Sequence, residues 1–370
     1  AAINLPLVDG KLGARAVAGY QDLGGWIDKP GNEDANDVVL ENYRLKVNAQ
    51  PTESLSLAAS AWISRSDFGA PPMSADGYTN PSVVDESTVT DYDAYGLKIG
   101  YDFTSFSLTS MTSYLDFKNG GPLDVSPLAP GRVLLTDITA KVRSGELILS
   151  SNPANSWRWS LGGFYRDGED RTRQSGLGTG DETNSSESFA VFGEVGRRFA
   201  DDSWEWTLGL RYFKDRVGFD ENIIPGPGLT PIHSTETFDA TTPRAVLTWY
   251  PSDAVTVYAS YVEGFRSGAD QPGAIQRGRP DFPAAKPDKL HNYEIGAKAD
   301  VLDHQLSFDA AVYYMDWDDV QQSVNVPLGV SFFATLVNTE SASGIGVDLG
   351  VTAAPVEALV IDAGSAAADG

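Results

Sequence analysis

Three carboxylates that lie close together, Asp316, Asp318 and Asp319, are the residues that most resemble a ligand set for a metal ion. A hard cation takes several oxygen ligands, and a loop can supply them. On a strand, however, Asp316 and Asp318 share one face while Asp319 points to the other. We therefore interpret the three as a solvated rim or a loop anchor, and we expect neither a metal site nor a cofactor.

Enzyme chemistry has little support in the sequence. The chain contains no cysteine, and its three histidines, His233, His291 and His304, lie far apart. A serine nucleophile needs a base within hydrogen-bond reach, and no local serine motif accompanies any of the three. We predict that the protein is not an enzyme.

Three other residues are candidates for contacting a small ligand. Arg266 opens the polar segment 268–287, where its guanidinium could pair bidentately with an anionic ligand. Trp26 and Trp317 each stand beside another long polar segment. An indole at such a position could lie against a bound ligand.

The segments that position these candidates have a period of two residues, which is typical of β-strands. Residues 157–165, 204–212, 293–301 and 306–314 place mostly aromatic and aliphatic side chains on one face and mostly polar or small ones on the other. Helical periodicity is nearly absent. The predicted strands run to about 14 residues, longer than the five or six that are usual in globular sheets.

The connections between these strands alternate in length. Tight turns are predicted near residues 50–52, 102–105, 152–155, 200–203, 251–253, 302–304 and 354–355. Long polar segments rich in Gly, Pro, Asp, Asn and Ser are predicted to be loops. They occupy residues 27–35, 67–88, 119–135, 171–185, 221–235, 268–287 and 321–338.

The composition excludes two classes of protein. Because 51 acidic residues outnumber 27 basic ones, giving a net charge of −24, the chain could not neutralise a nucleic-acid backbone. A content of 41% hydrophobic residues argues against disorder. The mean hydropathy of −0.22 suggests a soluble protein, but strands that expose only every second residue to lipid give a similarly low value.

Long strands joined alternately by tight turns and long loops are typical of a bacterial outer-membrane β-barrel. Lipid offers no hydrogen-bond partners to the backbone, so each strand must pair with its neighbours. A soluble β-sandwich is the alternative, but it would bury unpaired charges from the less apolar face. The charges that we assign to the lumen of the barrel are Arg44, Lys46, Lys98, Lys141, Arg143, Glu194, Arg211, Glu294 and Lys298.

Aromatic residues near the strand ends are interpreted first as girdles at the membrane interfaces. For Trp26 and Trp317, which lie at outer strand ends, ligand contact is the second interpretation. The residues assigned to girdles are Trp26, Trp62, Trp157, Trp159, Trp204, Trp206, Trp249, Tyr250 and Trp317.

Four segments resemble the C-terminal barrel of TonB-dependent outer-membrane receptors. They are YASYVEGFRSG at 258–268, KPDKLHNYEIGAK at 286–298, AAVYYMDWDDVQ at 310–321 and NTESASGIGVDL at 338–349. The four occur in the order and at the spacing of that family. The resemblance implies an all-β fold, a transmembrane antiparallel β-barrel with short periplasmic turns and long extracellular loops. This chain would supply about 15 or 16 of the family's 22 or so strands.

The same resemblance implies what the protein does and where it is located. We expect residues 1–370 to be part of a single barrel domain, with the plug, the TonB box and the last strands outside this chain. We expect an outer-membrane active importer in a Gram-negative bacterium, energised by TonB, that takes up a small-molecule nutrient, with a ferric siderophore as the first choice. Other expected partners are outer-membrane lipid and lipopolysaccharide, and the protein is expected to be a monomer.

Other functions stay open at this point. A passive diffusion porin has the same strand pattern, and TonB-dependent uptake of an oligosaccharide uses the same family of barrels. A third alternative is an adhesin or an enzyme built on an outer-membrane barrel.

Overall fold

Antiparallel β-structure accounts for almost all of the chain in the computed structural model. The structure describes residues 1–74, 76–127, 130–152, 155–176, 180–223, 230–302, 305–328, 331–356 and 359–369. His304, one of the three histidines considered above, lies outside the described residues. Among the residues described, no helix has the length and apolar character needed to cross a membrane.

The elements follow one another in chain order as eighteen strands and one short helix. They are β1 (Ala2–Val8), β2 (Leu12–Leu23), β3 (Val38–Ala49), β4 (Leu55–Phe68), β5 (Thr88–Asp102), β6 (Phe106–Asp124), β7 (Val133–Ser151), β8 (Trp157–Ser175), β9 (Gly180–Phe199), β10 (Trp204–Ile223), β11 (His233–Ser252), β12 (Val255–Arg266), α1 (Gly273–Gly278), β13 (Asp288–Val301), β14 (Leu306–Asp318), β15 (Gln321–Leu328), β16 (Ser331–Asn338), β17 (Ala342–Val356) and β18 (Leu359–Asp369).

Sixteen of the strands form one sheet in which neighbours in sequence are neighbours in space. The order runs from β1 to β14 and then to β17 and β18. The two remaining strands, β15 and β16, form a separate hairpin between β14 and β17. This confirms the predicted all-β antiparallel sheet and its strand number.

The two faces of the sheet differ as the period of two predicts. On β8 the exposed large side chains are Trp157, Trp159, Leu161 and Tyr165, and on β13 Ile295 is 65% exposed. These side chains form the lipid face, because closely spaced apolar groups that point away from the lumen need an apolar solvent. The predicted lipid faces of β8, β10, β13 and β14 are therefore confirmed.

Two charges assigned to the lumen were placed on the wrong face. On β7, Lys141 and Arg143 share the parity of Leu147, which is 49% exposed on the lipid side. Arg143 lies opposite Tyr114 in the register, and its Cζ is 5.9 Å from the centroid of that ring. Both cations are therefore on the outer surface of the wall, towards the extracellular end of β7. The prediction failed because the polar half of β7 carries no apolar marker of face.

Six consecutive strands, β6 to β11, have 19 or 20 residues each. A tilted strand needs only about 10 residues to cross the hydrocarbon layer, so these strands continue well beyond it. Three predicted loops, 119–135, 171–185 and 221–235, are wrong in this respect. Much of each is paired strand, because polar residues in water can pair as well as apolar ones in lipid.

The most deeply buried residues lie at the extracellular end rather than in the middle of the sheet. Ile27 and Ile275 are 1% and 0% exposed, and Gln271, Glu221 and Asp288 are the largest buried polar side chains. The outer loops therefore pack on one another and on the strand ends, and this packing positions the candidate site.

Candidate functional site

Arg266 is the last residue of β12 and lies opposite Asp288, the first residue of β13. Its Nε donates to Asp288 Oδ2 at 2.7 Å, Nη2 contacts the same oxygen, and its backbone N–H donates to Oδ1 at 2.9 Å. A second donation from Nη2, at 2.9 Å, reaches the carbonyl of Gln321. The guanidinium is therefore fixed on three sides by the protein, while 48% of the side chain stays exposed.

Asp288 is the buried partner of this pair, with 1% of its side chain exposed. Burial acts to raise the pKa of its carboxyl, but the hydrogen bonds and charge of Arg266 and the N–H of Gln321 outweigh it. The pKa of Asp288 therefore lies below its ordinary value. The carboxylate stays ionised, which keeps the cation of Arg266 at the mouth of the barrel.

Trp317 on β14 completes this group. Its indole lies beneath the guanidinium of Arg266, with Cζ 4.7 Å from the ring centroid. Trp317 has the parity of Tyr313, opposite to that of the exposed Val312 and Tyr314, so it faces the lumen. The structure thus brings together two of the three predicted ligand residues, and it corrects the assignment of Trp317 to a girdle.

The loop between β12 and β13 is held against its neighbours by two buried amides. Gln271 donates from Nε2 to the carbonyls of Pro283 and Leu336, at 2.6 and 2.8 Å, and its Oε1 accepts from Thr335. Gln321 donates to the carbonyls of Ser267 and Lys286, at 2.9 and 2.8 Å. Helix α1 and the β15–β16 hairpin are therefore joined into one packed cap beside Arg266.

An ion pair ties the same cap to the tall wall. Arg277, in α1, pairs with Glu221 at the outer end of β10, and the Glu221 side chain is 1% exposed. The loop consequently bends inward over the lumen face of β10 and β11, where Gly268 meets the ring of Phe238. Neither Glu221 nor Gln271 carries a sequence signal that predicts this role.

Trp26, the third predicted ligand residue, lies elsewhere on the rim. It lines a cavity of about 460 Å³ roofed by the loops that follow β2 and β4 and floored by the outer ends of β3 to β7. Phe68, Thr88, Asn119 and Thr136 line the floor, and each has lumen parity on its strand. The indole is 56% exposed, so it borders this lumen-facing cavity as a loop residue and not as a girdle residue.

The remaining girdle assignments divide by face. Trp157, Trp159, Trp204, Trp206 and Trp249 lie on the lipid face near the periplasmic turns, and Trp204 and Trp249 stack at 5.8 Å.

Trp62 and Tyr250, in contrast, were assigned to girdles wrongly. Trp62 pairs with Arg44 in the register and lies under its guanidinium on the lumen side. Tyr250 donates to the buried Glu205 at 3.0 Å. Register parity, which a single strand end does not reveal, decides both cases.

The acidic run on β14 makes no cluster. Asp318 lies 3.5 Å from Nε2 of His291, and the carbonyl of Asp319 accepts from Asn338 at 2.8 Å. Among the side chains that the structure describes, no group of three or more acidic or imidazole residues could hold a metal ion. His291 accompanies Tyr261 and Glu263 on the outer surface, at 3.0 Å from the tyrosine hydroxyl.

Comparison with known proteins agrees with this architecture. The family model described as "TonB dependent receptor-like, beta-barrel" matches residues 40–367. The chain is similar to the ferric yersiniabactin uptake receptor FyuA from Yersinia pestis, with a TM-score of 0.79 at 14% identity, over 99% of this chain and 58% of that one.

Two further solved structures are similar. The alcaligin receptor FauA from Bordetella pertussis has a TM-score of 0.71 at 18% identity, over 99% of this chain and 57% of that one. The siderophore receptor PiuA from Acinetobacter baumannii has a TM-score of 0.73 at 15% identity, over 100% and 61%. The chain spans about three fifths of the length of these structures, and at such identities the likeness concerns the fold.

Proposed function

The chain belongs to the TonB-dependent receptor-like β-barrel family, and from that premise we propose that it is the main part of the barrel of an outer-membrane active importer. The family consists of outer-membrane proteins of Gram-negative bacteria, and that is the location of this protein. The observation that carries the proposal is the family match over residues 40–367. The lumen-facing groups at the extracellular mouth support it, because an importer must first capture its nutrient there.

In this proposal the rim residues bind the nutrient and hold it in place. Arg266 presents a fixed cation, and Trp317 keeps the guanidinium flat so that its remaining edge can meet an anionic group. TonB would supply the energy through a region outside this chain. Lipopolysaccharide and phospholipid would surround the lipid face, and the barrel would act as a monomer.

A ferric siderophore is the proposed nutrient. The printed names of FyuA, FauA and PiuA describe receptors for siderophores or their iron complexes. Many ferric complexes of oxygen ligands are anions, and Arg266 offers them a cation at the mouth.

An oligosaccharide is the second candidate, and the cavity beside Trp26 favours it. The residues that line this cavity include no lysine or arginine within the described part of the chain. An anionic complex would find no counter-charge there.

Uptake by cells tests the importer. The complete gene, expressed in a strain that lacks its own siderophore receptors, should restore uptake of radioactive iron from a set of ferric siderophores. Uptake should stop when TonB is deleted or the proton gradient is collapsed. Uptake that survives the loss of TonB would instead identify a passive porin, and TonB-dependent uptake of sugars alone would overturn the siderophore.

A further inference from the structure

We propose that the cavity beside Trp26 is a binding subsite for an uncharged sugar ring. The inference rests on the proposed function in so far as the ligand arrives from outside. Its evidence is separate, because it comes from three features of the cavity: one unpaired buried donor, the charge of its lining and the face on which it opens.

The unpaired donor belongs to Asn36, which lines the cavity and is 5% exposed. Its Oδ1 accepts from the backbone N–H groups of Trp26 and Ile27, both at 2.7 Å. These two donors fix the orientation of the amide, so Nδ2 points the other way. Nδ2 has no hydrogen-bond partner among the described residues. A buried donor of this kind costs about 1–3 kcal/mol when unsatisfied, so the site favours a ligand with an oxygen acceptor.

The lining is apolar and aromatic with few charges. Trp26, Phe68 and Pro72 offer flat apolar surfaces. Of the two carboxylates in the lining, Glu86 is buried and neutralised by Lys29 at 2.7 Å, and its Oε1 accepts from the N–H of Asp124. Asp37 is exposed and keeps its charge available. An anion would therefore be repelled, whereas a sugar ring presents an apolar face to an indole and hydroxyl groups to amides and carboxylates.

The face of the cavity decides the source of the sugar. The floor residues Thr88, Asn119 and Thr136 have lumen parity, so the cavity opens towards the inside of the barrel mouth. Lipopolysaccharide lies outside the wall and would not reach it. The sugar consequently belongs to an imported molecule, either a free oligosaccharide or a sugar carried by an iron complex.

Binding to the intact protein in detergent tests the subsite without requiring transport. The probes are neutral trisaccharides of hexoses, pentoses and N-acetylhexosamines, trigalacturonate as a charged sugar, and a ferric catecholate with and without attached glucose. At least one neutral sugar should bind and quench tryptophan fluorescence, and trigalacturonate should not. Tighter binding of the glucosylated catecholate than of its parent would identify the iron-borne source, and equal binding would identify the free oligosaccharide.

Two variants connect such binding to the cavity. Asn36→Asp keeps an acceptor for the N–H groups of Trp26 and Ile27 but removes the Nδ2 donor, and it should weaken binding about tenfold. Trp26→Ala should weaken it by a similar factor, whereas Trp159→Phe, on the lipid face, should change nothing.

Two results would overturn the subsite: failure of every neutral sugar to bind at millimolar concentration, or binding that both cavity variants leave intact. A loss of TonB-dependent uptake with sugar binding preserved would count against the importer alone.

Discussion

The guanidinium of Arg266 lies over the indole of Trp317, although 51 positions separate the two residues in the chain, and its Cζ is 4.7 Å from the ring centroid. β13 lies between the strands that carry them, and its first residue, Asp288, holds the guanidinium from the other side. The cation is therefore fixed by a buried anion and a ring together, which limits the directions in which it can meet a ligand.

Trp317→Ala in the intact protein should weaken the binding of a ferric tricatecholate about two- to fivefold, because a cation–π contact at such a site contributes about 0.5–1 kcal/mol. Titration of the complex into purified protein measures the change. Trp317→Phe keeps an aromatic face and should lose less, and Trp249→Ala, on the lipid face, serves as the control. Equal affinities for the wild type and Trp317→Ala would exclude Trp317 from the ligand site.

Asp288→Asn should loosen the outer ends of β12 and β13, because the buried carboxylate accepts hydrogen bonds from Arg266 and Gln321. Hydrogen bonds to a charged group contribute about 1.5–3 kcal/mol each. Faster protease cleavage within residues 267–287 would report the change. The matched control is Asp281→Asn, which breaks the exposed pair with Arg279 in the same loop and should alter cleavage little.

Gly296→Ala should destabilise the barrel by about 1–3 kcal/mol, because a Cβ at this position would overlap the ring of Tyr258 on the neighbouring strand. The ring cannot move freely, since its hydroxyl donates to Glu294 at 2.6 Å. Urea unfolding of the detergent-solubilised protein gives the difference. Gly145→Ala, with nothing within 4 Å of the added carbon, should be close to neutral, and a similar loss in both variants would refute the argument.

Acid should weaken the outer ends of β8 and β9 through Asp181. The bidentate hydrogen bonds from Arg171 outweigh burial and, with help from Arg173, hold the pKa of this carboxyl at about 2. The unfolded value is about 3.9, so the ion pair stabilises fully above that pH. Its contribution is lost as the pH falls through about 2.

Amide hydrogen exchange in these strand ends, corrected for its intrinsic pH dependence, measures the effect. Protection should be constant from neutral pH to about 4 and then fall towards pH 2. Asp181→Asn should be less protected at neutral pH and should lack this step. A step of the same size in Asp181→Asn would assign the acid sensitivity to another group.

Much of the sheet could be predicted because lipid imposes a strict pattern on it. Alternation identified the lipid face of β8 and β10, where Leu161 and Leu210 stand among polar neighbours. Above the membrane the constraint disappears, and the same chain continues as paired strand without an apolar signal. This is why the extensions of β6 to β11 were mistaken for loops and why Lys141 and Arg143 were placed inside.

The candidate site was predictable only in part. Arg266 and Trp317 stood out by type and by position at strand ends, but their contact depends on the register of β12, β13 and β14. Asp288 was part of a recognised segment, yet its burial follows from the packing of Gln321 and the loops. Asn36 gave no signal at all, since its importance comes from the direction of one amide nitrogen.

The strand order has a consequence for how the protein assembles. Up to β14 each strand pairs with the one just made, so the growing sheet adds a hairpin at a time and closes only short stretches of chain. The pairing of β14 with β17 differs, since it must span residues 319–341. Loop-closure entropy rises with the length spanned, and non-local pairing slows folding. Prior formation of the β15–β16 hairpin shortens that span, so a sequence change that weakens this hairpin should delay insertion of the last strands without altering the finished barrel.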